Sequence, residues 1–351
     1  MRSVLVIAVF VVLAAQAVEF EQPLISGSVI MDFMSYSEDS AYSSNGQYVA
    51  VCNRLQARKF SLGISGSINT FVEYEAELGI SGCSGPSLRV SVKEAGVYFT
   101  PGETRFGVGM THVKRGFELG SDCGHTLTAE KPVFRKAVSP NCHPLGFIAE
   151  TEFSLGTAGF IEAELFYGNG GTGTLKDEHD INAALFYHTP FQGLAAGGFY
   201  NSIEMEVNPE NDGSESGTRY GFGLDYSSSG LLVRCEYFMI DGLLPGMRPV
   251  GCSMAAEEVE NTGVIAETGY LFPLSSESIS SVTPYFQYQR WDRFSNSESG
   301  DYKFSWIVAG VKANMGSSNC YVTAEYQTPS ATPEEQRKDS SVFRLRLGVN
   351  Y

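Results

Sequence analysis

Apolar and polar residues alternate one for one along the last eleven residues of the chain. Phe343, Leu345, Leu347, Val349 and Tyr351 fall on one face of an extended strand, and Arg344, Arg346, Gly348 and Asn350 fall on the other. The same period of two recurs from the start. Ile25, Val29, Met31 and Phe33 form one face of a first strand, and a second strand is expected at about Arg54–Ser65, turning at Gly66-Ser67-Ile68-Asn69. In the third, Phe71–Gly79, Val72, Tyr74, Ala76 and Leu78 alternate with Glu73, Glu75 and Glu77. Three carboxylates on one face require water or bases around them, because burying an unpaired charge is costly. Further alternating segments are Leu88–Phe99, Arg105–Val113, Leu145–Leu155, Gly159–Tyr167, Asp180–His188 and Gly193–Asn201. Arg219–Ser227, Leu231–Ile240, Thr262–Phe272, Val282–Asp292, Tyr302–Asn314 and Tyr321–Gln327 bring the tally, with the last strand, to about sixteen.

The connections alternate in length. Short turns at Thr100–Glu103, Gly156–Gly159, Thr189–Gly193, Ser227–Gly230 and Gly316–Ser318 interleave with long polar stretches. The long ones are Lys114–Pro144, Gly168–His179, Ser202–Thr218, Asp241–Glu260, Phe294–Asp301 and Pro329–Asp339. Long loops confined to one end, with apolar and polar strand faces, are the pattern of a membrane-spanning barrel whose apolar face meets lipid and whose polar face meets water. The expected fold is therefore all-β: a transmembrane antiparallel β-barrel of about sixteen strands with short periplasmic turns and long extracellular loops. The third long loop, Lys114–Pro144, is expected to fold inward.

Residues 1–17 read as a secretory leader. Arg2 is the positive start, Val4–Ala14 the apolar run, and Ala15-Gln16-Ala17 a small-x-small cleavage site. Residues 18–351 then form one barrel domain delivered to a bacterial outer membrane. The apolar run is shorter than the roughly 20 residues a spanning helix needs.

Composition narrows the function. The chain has 351 residues, 40 acids against 24 Lys and Arg, and a formal net charge of −16. Such acidity argues against nucleic acid as a partner. The partners expected instead are membrane lipid and small hydrophilic solutes or ions. No nucleophile elbow, H-E-x-x-H helix or phosphate loop is present, so no catalytic residue, cofactor or enzymatic activity is assigned.

Candidate chemistry lies inside the barrel. The inward loop carries Lys114, Arg115, Lys131, Arg135 and Lys136, which are assigned to a pore constriction; a loop merely covering the mouth would suit the same charges. Alternation assigns Glu73, Glu75, Glu77, Glu162, Glu164, Arg219, Arg234, Arg344 and Arg346 to the lumen wall. Acids on early strands facing bases on the last would set a field across the channel, or the two signs would simply pair within the wall.

Seven cysteines are unusual for such a barrel. Cys123 with Cys142 and Cys52 with Cys83 are the candidate disulfides in an oxidising compartment. The spacings around Cys123-Gly124-His125 and Cys142-His143 do not match a zinc site, so no metal is assigned.

The runs Gly96-Val97-Tyr98-Phe99-Thr100-Pro101-Gly102, Phe106-Gly107-Val108-Gly109-Met110 and Glu130-Lys131-Pro132 resemble the phosphate- and polyphosphate-selective porin family of bacterial outer-membrane barrels. That resemblance implies a sixteen-stranded, usually trimeric channel for passive diffusion of anions. The acidic inner face departs from the basic lumen such selectivity needs, and a general or mildly cation-preferring pore fits the residues equally. A surface-binding or structural barrel acting through its outer loops is the competing class.

Overall fold

The computed structural model describes residues 23–37, 40–42, 48–50, 53–82, 88–117, 127–129, 132, 138, 143–169, 179–208, 213–242, 260–292, 303–316, 319–331 and 341–351. The leader and Cys52, Cys83, Cys123, Cys142, Lys131, Arg135 and Lys136 lie outside the described residues.

Sixteen strands form the barrel: β1 (Leu24–Tyr36), β2 (Arg54–Asn69), β3 (Val72–Gly82), β4 (Leu88–Phe99), β5 (Thr104–Met110), β6 (Leu145–Ser154), β7 (Phe160–Gly168) and β8 (His179–His188) make one half. The other half is β9 (Leu194–Asn208), β10 (Gly213–Ser228), β11 (Leu231–Asp241), β12 (Glu260–Tyr270), β13 (Ser281–Asp292), β14 (Lys303–Met315), β15 (Cys320–Ala331) and β16 (Val342–Asn350). A two-residue strand, Phe272–Pro273, extends β12 along β13, and a small hairpin pairs Ser40–Tyr42 with Tyr48–Ala50. Each barrel strand pairs antiparallel with its sequence neighbour, and β1 also pairs with β16, from Ser28 opposite Asn350 to Tyr36 opposite Val342. Closure satisfies every strand edge, the condition for placing a sheet in hydrocarbon.

The two faces divide as the alternation requires. Phe33, Leu62, Leu78, Val97, Val108, Leu165, Leu185, Phe222, Leu224, Phe286 and Leu345 are exposed on the outside. Asp32, Asp180, Asn201, Arg219, Glu236, Glu267, Gln287, Glu325, Arg344 and Arg346 are buried on the inside. An exposed apolar band this extensive suits lipid rather than water.

Turn chemistry sets several strand ends. Ser229 and Gly230, both at positive φ (52° and 85°), form the two-residue turn between β10 and β11. The β2–β3 turn lies at Thr70-Phe71, later than the Gly66–Asn69 expected from composition. Asn69 moves it, because its side-chain oxygen accepts the N–H groups of Phe71 and Val72 at 2.8 and 2.9 Å. A second expectation is corrected at Ser202–Thr218: most of this polar stretch is not a loop, since β9 and β10 stay paired from Ile203 opposite Gly217 to Asn208 opposite Gly213.

The wall is uneven. β5 to β8 have 7, 10, 9 and 10 residues, whereas β9 and β10 have 15 and 16. The strand expected to reach Val113 ends at Met110, where the chain leaves the sheet with Thr111 N–H donating to the Pro144 carbonyl at 3.2 Å. The inward segment therefore starts on the low side of the barrel.

Candidate functional site

The described residues of the segment after β5 bond the inner wall on β7, β8 and β11 and, farther on, on β15 and β16. Lys114 N–H donates to Glu164 on β7 at 3.0 Å, and its ammonium bonds the Glu162 carboxylate. Burial alone would depress the Lys114 ammonium, but Glu162, with Glu150 and Glu164 beyond it, holds it above the ordinary lysine range. Asn182 on β8 donates to the Lys114 carbonyl at 3.1 Å, and the Arg115 guanidinium meets Asp180 on β8 at 2.7 Å. Phe117 N–H then bonds Glu236 on β11. Gly116 makes this step feasible: its φ is +94°, and a Cβ there would lie 2.5 Å from the Glu236 carboxylate.

Farther along, Ala129 is held at both ends of its peptide. Its N–H donates to Glu325 on β15 at 2.7 Å, and its carbonyl accepts from Arg346 on β16. Tyr285 and Arg344 brace the same Glu325 carboxylate at 2.9 and 2.8 Å. Between these two polar anchors, Val138 is buried in an apolar cluster with Phe186, Phe199, Phe238, Ile265 and Trp291 from β8, β9, β11, β12 and β13. The Phe117 and Phe186 rings also meet edge to face at 5.0 Å.

The described residues of the segment thus touch the inner wall at β7, β8, β11, β15 and β16, and side-chain exposure differs across the interior. Side-chain exposure is 1% at Arg115, 0% at Asp180 and 4% at Arg346, but 50% at Glu73, 33% at Arg105, 30% at Lys114 and 28% at Glu77. The accessible wall, β2 to β7, carries Glu73, Glu75, Glu77, Glu94, Glu150 and Glu162. Among the bases beside them, Lys59 lies 3.3 Å from Glu77, Arg105 lies 3.0 Å from Glu150 and 3.6 Å from Glu73, and Lys114 meets Glu162. The Arg105 guanidinium also lies 3.5 Å over the Tyr98 ring, and the Tyr98 hydroxyl donates to Glu75.

Bases assigned to the lumen wall from sequence are engaged within it. Arg346 grips Asp32 at 2.6 and 2.7 Å, Arg344 meets Glu325, and Arg234 bridges Asp225 at 2.7 Å and Glu267 at 3.0 Å. Arg219 donates to Asn201 at 2.8 Å. Lys114 and Arg115 come together with Glu162, Glu164 and Asp180, and three of the four described histidines pair with acids: His143 with Glu94 at 3.0 Å, His179 with Glu204 at 3.1 Å and His188 with Glu162 at 3.5 Å. Cys235, on the outer face, and Cys320 are free thiols.

Sequence reasoning missed Asp32, Glu94, Arg105 and Asp180, and it missed the inward aromatics. For Phe186 a signal was present. Ala183-Ala184-Leu185-Phe186-Tyr187 is apolar on both faces, and this break in alternation marks a strand covered on both sides.

Comparison with known structures agrees with this geometry. The in-vitro folded trimer form of OmpT, an outer membrane protein of Vibrio cholerae, superposes with a TM-score of 0.60 at 10% identity, covering 94% of this chain and 99% of that one. The fold is that of the outer-membrane barrels. OmpF of Salmonella typhi in complex with daunomycin gives 0.61 at 11% identity, covering 94% and 97%, and the anion-selective porin of Comamonas acidovorans gives 0.57 at 12%, covering 94% and 99%. No protein-family model matches the chain, and no curated protein matches it. The resemblance to phosphate-selective porins thus stands on the sequence runs alone.

Proposed function

We propose that this chain is a porin of the bacterial outer membrane, exported by its leader and acting as a passive diffusion channel rather than an enzyme. Small hydrophilic solutes and ions would cross a water-filled lumen narrowed by the Lys114–Pro144 segment. Assembly into a trimer, the form in which the similar OmpT was folded, belongs to the same proposal.

The observation that carries this reading is the asymmetry of the interior. Arg115 and Asp180 pair fully buried on one side of the interior, whereas the part-exposed side chains on β2 to β7 are mainly carboxylates. Fixed charge along the path sets selectivity, so the pore should favour cations over phosphate-type anions. An anion entering this lumen would find Arg344, Arg346, Arg234 and Arg115 already held by carboxylates.

Liposome swelling tests the proposal directly. Vesicles containing the folded mature protein should swell in neutral sugars, faster in small cationic solutes and more slowly in anions of equal size. Swelling no faster than in empty vesicles would remove the channel reading and direct attention to the outer loops as a binding surface.

A further inference from the structure

His188 is the last residue of β8, where a short turn leads into β9, and its side chain falls on the inner face, two residues beyond the buried Phe186. The ring of Phe160, its register partner on β7, stacks on the imidazole at 4.2 Å between centroids and 8° between planes. Nε2 is shielded from solvent and has no hydrogen-bond partner among the described residues, although the side chain as a whole is 34% exposed. That nitrogen faces one oxygen of Glu162 at 3.5 Å, beyond the length of an ordinary hydrogen bond. The other oxygen of Glu162 bonds the Lys114 ammonium on the inward segment. One carboxylate thus stands between a lysine and a histidine.

Carboxylates surround this point on the β6 and β7 side. Glu164 follows Glu162 on the same face of β7, and on β6 Glu152 is the register partner of Glu162 and Glu150 that of Glu164. On the other side β9 places the uncharged Ala195 opposite His188, and beyond it Asp225 on β10 is held by Arg234 at 2.7 Å. While the imidazole is neutral, Lys114 and Glu162 balance each other. A proton on Nε2 converts the 3.5 Å approach into a charge-assisted hydrogen bond to the second Glu162 oxygen, and the trio Lys114, Glu162 and His188 then carries one net positive charge. A proton needs no cavity. The segment keeps its place, because Lys114 is also held through its N–H by Glu164 and through its carbonyl by Asn182.

We propose, resting on the channel reading, that His188 makes the ion selectivity of the pore depend on pH, its protonation offsetting part of the acidic wall beside Glu162. Imidazole side chains change charge between about pH 8 and pH 5, whereas solvated carboxylates stay ionised until lower pH. Over that interval the path gains positive charge without a change of width, so cation preference falls on acidification. His179 also faces an acid, Glu204 at 3.1 Å, but it takes the outward position next to the inward Asp180 and has no part in this response.

The test is the reversal potential of the folded mature protein in a planar bilayer under a potassium chloride gradient, at about pH 8 and at about pH 5.5. The potassium to chloride permeability ratio should fall about twofold at the lower pH. His188→Gln should remove at least half of that fall, and His179→Gln should leave it intact. A ratio in the unaltered protein that does not change with pH overturns the proposal whether or not the variants fold, and so does a full fall in a folded His188→Gln protein. Absence of channel steps at either pH would instead remove the channel reading, and with it the selectivity role. Nuclear magnetic resonance in detergent then separates the two failures: the imidazole signal missing from His188→Gln should shift between about pH 8 and pH 5. A signal that stays fixed over that interval overturns the protonation itself.

Discussion

Arg346 on the last strand and Asp32 on the first are register partners, and the guanidinium holds the carboxylate through two hydrogen bonds of 2.6 and 2.7 Å across the line where the barrel closes. Both side chains are buried. The same guanidinium also binds the Ala129 carbonyl, so the seam and the inward segment share one anchor.

Asp32→Asn leaves Arg346 buried with a neutral partner, and breaking a buried pair costs about 3–5 kcal/mol. The urea midpoint of the folded barrel in lipid vesicles, followed by tryptophan fluorescence, should fall accordingly. The double variant Asp32→Asn with Arg346→Met removes the orphaned charge and should recover most of the loss. Equal destabilisation in single and double variants would mean the pair is not what secures the seam.

Gly116 sits at positive φ against the Glu236 carboxylate. Gly116→Ala should dislodge the Phe117 end of the segment, at a cost of about 1–2 kcal/mol in stability. Single-channel conductance should rise as the lumen widens. Unchanged conductance in a folded variant would show that this part of the segment does not narrow the path.

Val138 is the apolar pin of the segment, with no exposed surface among Phe186, Phe199 and Phe238. Val138→Asp buries a charge with no base in that cluster, an arrangement that costs several kcal/mol or expels the segment. Larger neutral sugars should then permeate in liposome swelling. Retention of the original size cut-off would contradict the assigned packing.

Glu73, Glu75 and Glu77 supply much of the accessible negative charge. Replacing all three by Gln should shift the zero-current potential in a salt gradient toward anion preference while leaving the unit conductance within about twofold, because selectivity follows fixed charge more than width. No shift would place the selectivity filter elsewhere.

The barrel was legible because a period of two survives in nearly every strand: the sixteen alternating segments coincide with the sixteen strands. Strand ends were less so. The Ser202–Thr218 stretch is rich in Glu, Asn, Asp, Gly and Ser, which ordinarily signal a loop, but pairing with a neighbouring strand extends it past the point where any apolar face marks it. Arg344 and Arg346 were readable as inward, whereas their use was not. Asp32 lies between Met31 and Phe33 in a strand that reads as apolar, and only closure of the barrel brings it opposite Arg346. Distant pairing of this kind leaves no local signal. The same holds for Lys114, Arg115 and Ala129, whose partners on β7, β8, β15 and β16 are set by the path of the segment.

Conductance in a planar lipid bilayer under a potassium chloride gradient tests the accessible acidic wall as a permeation path most directly. The folded mature protein should insert as discrete, long-lived open steps whose reversal potential has the sign of potassium preference. Inserted barrels that show no steps, or steps that reverse with the sign of chloride preference, would contradict it.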